Sequence, residues 1–340
     1  MTTESTHPLK KVCIFGAGAI GGWLGAAVAR AGGELSAVAR GATLQALREH
    51  GLTLVHGDER EQVAVRAEED PAVLGVQDLV IISVKAPGMP DVARRVAPLI
   101  GEHTLVLTAM NGVPWWFLAG GVSANVRGQQ LQAVDPTGSI AQAIPTGQVI
   151  GSVVHASCSL DAPGVVRRHF GNALILGEPL ANPGDAASPR LLALAKMLTD
   201  GGLDVKVSDN IQRDAWYKLW GNMTMNPVSA ITGATTDKIL GDPLVRDFIT
   251  RVMLEAKAIG EQIGLPIADL PEDRHKVTLK LGAFKTSMLQ DVEAGKPIEL
   301  DAIVGAVQEL GCLSGVATPF TDALLGLTRL QAQQRGLLPA

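Results

Sequence analysis

The sequence predicts an α/β fold in which an N-terminal doubly wound domain, residues 1–207, is followed by an all-helical C-terminal domain, residues 208–340. Short apolar runs alternate with helical patterns up to about residue 110, which is typical of a parallel sheet with helices on both faces. Beyond residue 211 nearly every segment has helical spacing. At 340 residues the chain also exceeds the ~250 to 300 residues at which single cores usually divide.

A glycine-rich turn lies between the first predicted strand and the first predicted helix of the chain. The apolar run at residues 12–15 precedes it, and a helical pattern continues to residue 31. The turn consists of Gly16, Ala17, Gly18, Ala19, Ile20 and Gly21. In this Rossmann-type spacing the first glycine allows a tight turn, the second lets backbone approach a pyrophosphate, and the third lets helix and strand pack closely. With 38 glycines in the chain the motif alone is weak, but its place between a strand and a helix predicts a dinucleotide site.

The rest of the N-terminal domain continues the alternation. We expect helices at residues 43–49, 91–99 and 189–200. Strands are predicted at residues 35–39, 52–56, 62–66, 79–84, 104–107, 149–157, 165–169 and 174–176.

The C-terminal domain is predicted to contain five helices. Their spans are residues 211–225, 244–263, 275–288, 298–313 and 319–334.

Composition excludes several classes of protein. The 29 Lys and Arg against 34 Asp and Glu give a net charge of -5, which argues against a nucleic-acid partner. Cys13, Cys158 and Cys312 are widely spaced, so we expect buried free thiols and neither disulfides nor a metal site. The polar N-terminus has no signal-peptide core, and no apolar run approaches the ~20 residues that span a membrane. We therefore expect a cytoplasmic protein without a membrane partner.

Arg40 ends the second predicted strand, about 20 residues past the glycine turn, where NAD-binding proteins place an acidic residue. The planar guanidinium can bind a 2′-phosphate with two hydrogen bonds, whereas a carboxylate would repel it. The sequence therefore favours NADP over NAD. The alternative is an arginine that is merely solvated at a strand end.

Lys85 and Asn111 each follow a predicted parallel strand at its carboxyl end, where open α/β sheets bind ligands. Lys85 could donate to the nicotinamide ribose or to a substrate carboxylate, and Asn111 to the cofactor or the substrate. For Asn111-Gly112 the alternative is an ordinary turn.

Lys218, Asn222 and Asn226 fall within one ~80° sector of the helix predicted at residues 211–225 and its extension. A partly desolvated lysine can protonate the alkoxide that forms when a ketone is reduced, and two amides can orient a substrate without adding charge. Asparagines are also poor helix formers, which favours a functional role. The alternative is a solvated stripe in which Asp214 and Lys218 form a weak surface pair.

Two further segments have open interpretations. Glu299 and Asp301 open a predicted helix, and acids in a first turn usually complement the helix dipole. Trp115 and Trp116 follow Asn111 closely and either pack in a core or line a pocket.

Taken in order, these segments resemble the ketopantoate reductase (2-dehydropantoate 2-reductase) family over residues 11 to about 315. The resemblance rests on GAGAIGG, Lys85 after a strand, Asn111-Gly112-Val113, the lysine and asparagine helix, Ser287-Met-Leu-Gln-Asp291 and Lys296-Pro-Ile-Glu299-Leu-Asp301. It implies NADPH-dependent reduction of the ketone of ketopantoate to pantoate, a step toward pantothenate and coenzyme A, in a cleft between a Rossmann domain and a helical domain.

The resemblance also implies roles for individual residues. Lys218 corresponds to the general acid, and the substrate-binding positions are Asn222, Asn226, Ser287 and Asn111. The cofactor-binding positions are the glycine turn, Arg40, Lys85, Asn111 and Glu299.

Two other functions fit the sequence. One is an NADPH-dependent reductase of a different 2-oxo acid, which the tryptophans after Asn111 would favour if they line the pocket. The other is a protein that senses NADP without turnover, against which Lys218 and its asparagines argue. The expected partner is a small 2-oxo acid, and a homodimer is one assembly that the sequence allows.

Overall fold

The computed structural model describes residues 8–338. The chain divides into two compact units, one comprising Met1–Met110 and Ser139–Ile211 and the other Asn111–Gly138 and Gln212–Ala340. This differs from the predicted single boundary after residue 207, because the segment Asn111–Gly138 packs into the core of the helical unit. The N-terminal residues 1–7, where we expect no signal peptide, lie outside the described residues. No helix within residues 8–338 is long and apolar enough to cross a membrane.

The α/β unit is built on one sheet with the strand order β4-β3-β9-β8-β7-β6-β1-β2-β5, in which β10 also pairs with β9. The strands are β1 Lys11–Phe15, β2 Glu34–Val38, β3 Leu52–His56, β4 Glu59–Val63, β5 Arg66–Glu68, β6 Leu79–Ile82, β7 Leu105–Thr108, β8 Val149–Ala162, β9 Val165–Gly177 and β10 Asp204–Val207. From β8 to β5 along this order every pair is parallel. Phe15 is in register with Val38 and Ile82, so β1, β2 and β6 end together at the edge where such sheets bind ligands.

The helices of this unit are α1 Ala19–Arg30, α2 Gly41–His50, α3 Met89–Arg95, α4 Ser139–Ala143 and α5 Pro189–Asp200. The predicted helix at residues 91–99 is shorter than expected and ends in a 3₁₀ turn, Ala97–Leu99. Trp23, Leu24 and Val28 of α1 are buried in the same core as Val12 and Ile14 of β1. The buried first helix and strand therefore fix the position of the glycine turn between them.

One long hairpin replaces the three short strands that were predicted between residues 149 and 176. β8 pairs antiparallel with β9, and β9 continues through residues 170–173 instead of breaking there. Gly171 has φ of +73°, and a Cβ on it would lie 2.4 Å from the His155 carbonyl oxygen. The glycine therefore forms part of an irregularity within the pair, where the register shifts, and does not end the strand.

The helical unit contains seven α-helices within residues 8–338. They are α6 Ile211–Thr232, α7 Thr236–Gly241, α8 Pro243–Gln262, α9 Pro271–Leu279, α10 Ser287–Glu293, α11 Ala306–Ser314 and α12 Pro319–Gln334. Trp216, Leu219 and Trp220 of α6 are buried in its core, as predicted. The predicted fold class, a Rossmann-type α/β domain followed by a helical domain, is confirmed.

Two predicted helices of this unit are wrong in detail. The span 275–288 contains the end of α9 and the start of α10, because Thr286 caps α10 by accepting a hydrogen bond from the Leu289 N–H. The span 298–313 begins with a π-helical turn, Asp301–Gly305, which passes directly into α11.

All three cysteines are free, as expected, but only Cys13 is buried. Cys158 is half-buried and Cys312 is exposed, so the prediction of a buried thiol is wrong for Cys312. Cys312 lies on the side of α11 away from the buried Val307.

Candidate active site

The glycine turn between β1 and α1 has the features that a bound dinucleotide requires. Gly16 has φ of +101°, and its carbonyl accepts a 2.7 Å hydrogen bond from the Ser83 hydroxyl. A Cβ on Gly21 would lie 2.3 Å from the Gly16 carbonyl oxygen, so this position leaves no room for a side chain. A Cβ on Gly18 would meet no atom within 4 Å. Gly18 therefore borders open space where a pyrophosphate would approach the backbone.

The N-terminus of α1 adds the electrostatic part of this site. Ala17 is buried in the turn, and Ala19 and Ile20 begin the helix. The first turn carries no acidic residue, and no side chain caps it. Its N–H groups and the positive end of its dipole are therefore suited to phosphate groups.

Lys85 lies next to the glycine turn in the α/β unit. It follows Ser83, the residue bonded to Gly16, by two positions, and it precedes a 3₁₀ turn, Ala86–Gly88. A Cβ on Gly16 would come within 2.7 Å of the Val84 side chain, so the two segments pack closely. The exposed Lys85 side chain thus stands at the carboxyl end of β6, as predicted.

Arg40 stands just beyond β2 and forms an ion pair of 3.4 Å with Asp91 of α3. Asp91 also pairs with Arg94 and Arg95 of its own helix. Three guanidinium groups therefore surround one carboxylate, which leaves an excess of positive charge. The Arg40 side chain is 64% exposed, so a ligand phosphate can reach it.

The Asp91 carboxylate stays ionised in this cluster. Burial alone would raise its pKa, but hydrogen bonds and charges from Arg95, Arg40 and Arg94 hold the pKa below its usual range. An ionised Asp91 orients Arg40 while leaving part of its guanidinium fork for another anion. The arrangement suits a 2′-phosphate, which carries between one and two negative charges.

Lys218 projects from α6, the 22-residue helix that also carries Asn222 and Asn226. The buried Trp220 fixes the rotation of this helix, since its indole N–H donates a 2.8 Å hydrogen bond to the Met253 carbonyl. The half-buried Lys218 ammonium donates a 2.9 Å hydrogen bond to the side-chain oxygen of Asn111. The structure therefore brings together two predicted site residues, and both belong to the helical unit.

The surroundings of Lys218 adjust its proton affinity. Burial lowers the pKa of the ammonium from 10.5 to about 8. The Glu299 carboxylate acts in the opposite direction, and the Arg274 guanidinium lowers the pKa further. A lysine with a pKa near neutrality can release a proton and take it back, as a general acid must.

A tight turn holds Asn111 in place. Gly112 has φ of +81°, and a Cβ on it would lie 2.6 Å from the Ala302 carbonyl oxygen. That same carbonyl accepts a 2.8 Å hydrogen bond from the Val113 N–H. Ala302 belongs to the π-helical turn that begins two residues after the buried Glu299. Turns of this type are rare and often occur at functional sites, and here one segment carries Glu299 and supports Asn111.

The remaining predicted substrate-binding residues lie on α6 and α10. Asn222 is half-buried, Asn226 is 5% exposed, and Ser287 is exposed at the first position of α10. A buried hydrogen bond between the hydroxyls of Ser229 and Thr286 joins the two helices. The start of α10, with Ser287, is therefore fixed to α6 one turn beyond Asn226.

The two tryptophans that follow Asn111 differ in their surroundings. Trp116 is 2% exposed, in agreement with the packing interpretation. Trp115 is half-buried, and its indole nitrogen is buried without a hydrogen-bond partner within residues 8–338. Trp115 therefore keeps a buried donor that no described residue satisfies.

Arg274 of α9 is the charged neighbour of Lys218 that the sequence did not reveal. Its guanidinium carbon lies 5.2 Å from the centre of the Tyr217 ring, and its Nε would be 2.8 Å from a Cβ on Gly221. The available signal was Gly221 itself, a glycine in the middle of a helix, which often marks a close approach by another group.

Comparison with known proteins identifies the family. The family description "Ketopantoate reductase PanE/ApbA" matches residues 12–118, and its C-terminal counterpart matches residues 210–332. The 2-dehydropantoate 2-reductase of Mesorhizobium japonicum is 45% identical over 327 residues, which cover 96% of this chain and 99% of that protein. The chain belongs to the ketopantoate reductase family. The predicted enzyme class, an NADP-dependent oxidoreductase, is thereby confirmed.

Solved structures agree with the ketopantoate reductase fold. A proposed ketopantoate reductase from Ralstonia solanacearum has a TM-score of 0.92 and 55% identity, with 97% of this chain and 100% of that chain covered. A PanE/ApbA family ketopantoate reductase from Ralstonia eutropha has a TM-score of 0.81 and 27% identity, with 96% and 99% covered.

Proposed function

We propose that this chain reduces the C2 ketone of ketopantoate to pantoate with NADPH, and that Lys218 donates the proton. The observation that carries the proposal is the half-buried Lys218, held by Asn111 and with a pKa lowered to about 8. The matched families and the Mesorhizobium relative, named for this reaction, support the substrate. The product would serve the synthesis of pantothenate and coenzyme A.

The α/β unit would bind the cofactor. Bound NADPH supplies a hydride for the ketone carbon. Gly16 and Gly21 shape the turn, Gly18 leaves the backbone open to the pyrophosphate, and Arg40 would bind the 2′-phosphate beside Asp91. Lys85, next to the turn, would donate to the nicotinamide ribose or the substrate carboxylate.

The helical unit would supply the proton. As the ketone oxygen gains negative charge, the Lys218 ammonium transfers a proton to it and becomes a neutral amine. Asn111 accepts one N–H of the ammonium and so limits the directions of the other two. The Glu299 carboxylate favours the charged form, so that Lys218 is recharged from solvent after turnover.

Polar groups on the same unit would bind the substrate. Asn222 and Asn226 can donate to hydroxyl or carboxylate oxygens, and the Ser287 hydroxyl can hold the carboxylate. These groups are neutral and fixed on helices, so they stabilise developing charge without reorganisation.

A panel of 2-oxo acids, assayed with NADPH and NADH in parallel, tests the proposal. We expect ketopantoate with NADPH to have the highest kcat/KM, and pantoate to be the product. A kcat/KM for ketopantoate no higher than for unrelated 2-oxo acids would instead favour a reductase of another acid. Tight binding of NADPH without oxidation by any member of the panel would indicate a sensor. The homodimer stays a prediction, which the mass of the purified protein in solution would check.

A further inference from the structure

Two buried hydroxyls, those of Ser229 and Thr286, form a hydrogen-bonded bridge between α6 and α10. The Ser229 hydroxyl donates a 2.9 Å hydrogen bond to the Asn226 carbonyl. Since a hydroxyl has a single proton to donate, the Thr286 hydroxyl must be the donor to Ser229. The Thr286 oxygen also accepts the Leu289 N–H and so caps α10. This hydroxyl bridge therefore connects the backbone of Asn226 to the start of α10, where Ser287 lies.

Pro227 weakens α6 at the point where the hydroxyl bridge is attached. It lies inside the helix, one residue after Asn226, and it has no N–H to donate to the Met223 carbonyl. A proline within a helix commonly bends it, so the backbone hydrogen bonds alone do not fix the direction of α6 beyond Asn226. The bond from Ser229 to the Asn226 carbonyl spans the proline. The hydroxyl bridge therefore ties both sides of this weak point to α10.

The polar side chains beside the hydroxyl bridge are not engaged in the same way. Within residues 8–338, neither the nearly buried Asn226 amide nor the Ser287 hydroxyl makes a side-chain hydrogen bond. A nearly buried amide normally has a partner, because losing water without one costs free energy. Asn226 lies ~80° around α6 from Lys218, and Ser229 lies between them at ~20°. The protein thus occupies the hydroxyls of the bridge, whereas Asn226 and Ser287 keep their polar groups for a ligand.

We propose that Ser229 and Thr286 are positioning residues that fix the distance between Asn226 and Ser287, so that one substrate molecule engages both. The inference rests on the proposed function, in which Ser287 holds the carboxylate of the 2-oxo acid, and it assigns the hydroxyl at the other end of ketopantoate to Asn226. An acid that carries both groups binds well only when the two contacts have the right spacing. An acid without the hydroxyl can shift to follow Ser287, so it depends less on that spacing.

The test compares ketopantoate with trimethylpyruvate, which has the same carbon skeleton without the terminal hydroxyl, in wild type and Thr286→Val. Valine keeps the shape of threonine and removes only the hydroxyl. We expect Thr286→Val to lower kcat/KM for ketopantoate by about 10-fold, mainly through KM, and for trimethylpyruvate by less than about threefold. Thr286→Ser keeps the hydroxyl and should bring kcat/KM for ketopantoate to within about twofold of wild type.

Two further comparisons separate positioning from a general loss of stability. Thr328→Val is the matched control, because it removes another buried hydroxyl of the helical unit, which donates to the Leu324 carbonyl of α12. It should change kcat/KM for neither acid. Since the hydroxyl bridge acts through Ser287, adding Thr286→Val to Ser287→Ala should lower kcat/KM for ketopantoate by less than about twofold further.

Equal losses on both acids, no loss on either, or a loss that persists undiminished in the Ser287→Ala background would overturn the positioning role. Should Thr286→Val not fold, Ser229→Ala removes the other hydroxyl of the bridge, and the same comparisons apply to it. A wild-type enzyme that prefers another 2-oxo acid would contradict the substrate proposal alone. The effect of Thr286→Val in the Ser287→Ala background, measured with that acid, would then still decide the role of the hydroxyl bridge.

Discussion

The Lys218 ammonium and the Asn111 side-chain oxygen are 2.9 Å apart, although 107 positions separate the two residues in the chain. The acceptor is a neutral amide, so it orients the ammonium without adding a negative charge that would raise the pKa. A carboxylate at position 111 would hold the proton more tightly. The pairing therefore suits a lysine that must give up its proton in each turnover.

Removing the amine tests this role directly. Lys218→Ala should lower kcat by about 10²- to 10⁴-fold, because no other group is expected to protonate the alkoxide as well. NADPH binding, measured by fluorescence titration, should change little. Lys257→Ala is the control, since Lys257 is half-buried, as Lys218 is, and donates to the backbone carbonyls of Ala268 and Asp269 in the loop before α9. Full activity in a folded Lys218→Ala enzyme would refute the assignment.

The pH dependence tests the influence of Glu299 on Lys218. The protonated lysine is the active form, so kcat/KM should fall as pH rises through about 8. Glu299→Gln removes a negative charge that raises the pKa of Lys218. We therefore expect the alkaline limb of the kcat/KM profile, where activity falls with rising pH, to move to lower pH by at least about 0.5 unit. Steady-state rates between pH 6 and about 10 would measure this shift.

A control separates this effect from a general loss of negative charge. Glu293→Gln removes the exposed carboxylate that pairs with Lys285 at the end of α10. In Glu293→Gln the alkaline limb of the kcat/KM profile should lie at the same pH as in wild type. A limb that stays in place in Glu299→Gln, or moves to higher pH, would show that Glu299 does not act on Lys218 as the structure indicates.

Local patterns predicted much of this molecule, and tertiary packing determined the rest. Gly16 to Gly21, Lys218 and Asn222 lie where strand and helix periods placed them, because those positions depend on neighbours in the chain. The packing of Asn111 with the helical unit was not predicted, since a residue that follows a strand gives no sign that the chain then packs with distant helices. The position of Arg274 against Tyr217 and Gly221 was not predicted either, because it depends on how α9 packs on α6.

The proposed contact between Arg40 and the 2′-phosphate of NADPH can be tested separately in the α/β unit. Arg40→Ala should weaken NADPH binding by about 10- to 100-fold and NADH binding by less than about threefold, because only NADPH carries the phosphate. Titration of each cofactor gives the two dissociation constants. Arg48→Ala is a matched control, since Arg48 lies in the same unit, is also exposed and is paired with a different carboxylate, Glu68. Equal losses for both cofactors in Arg40→Ala would mean that Arg40 does not bind the phosphate.

The turn beneath Asn111 can be tested with two glycines of similar backbone conformation. Gly112 has φ of +81° and Gly128 has φ of +77°, so alanine at either position costs roughly 1 to 2 kcal/mol of stability. Only at residue 112 would the new Cβ also collide with backbone, since the carbonyl oxygen and carbon of Ala302 would lie 2.6 and 2.7 Å away. At residue 128 nothing lies within 4 Å of the new Cβ. Gly112→Ala should therefore displace Asn111 and lower kcat by about 10-fold or more, whereas Gly128→Ala should lower the melting temperature by a few degrees and leave kcat unchanged. Thermal unfolding and steady-state rates on both variants measure the two effects. If both variants keep wild-type kcat, the contact between Gly112 and Ala302 does not position Asn111 for catalysis.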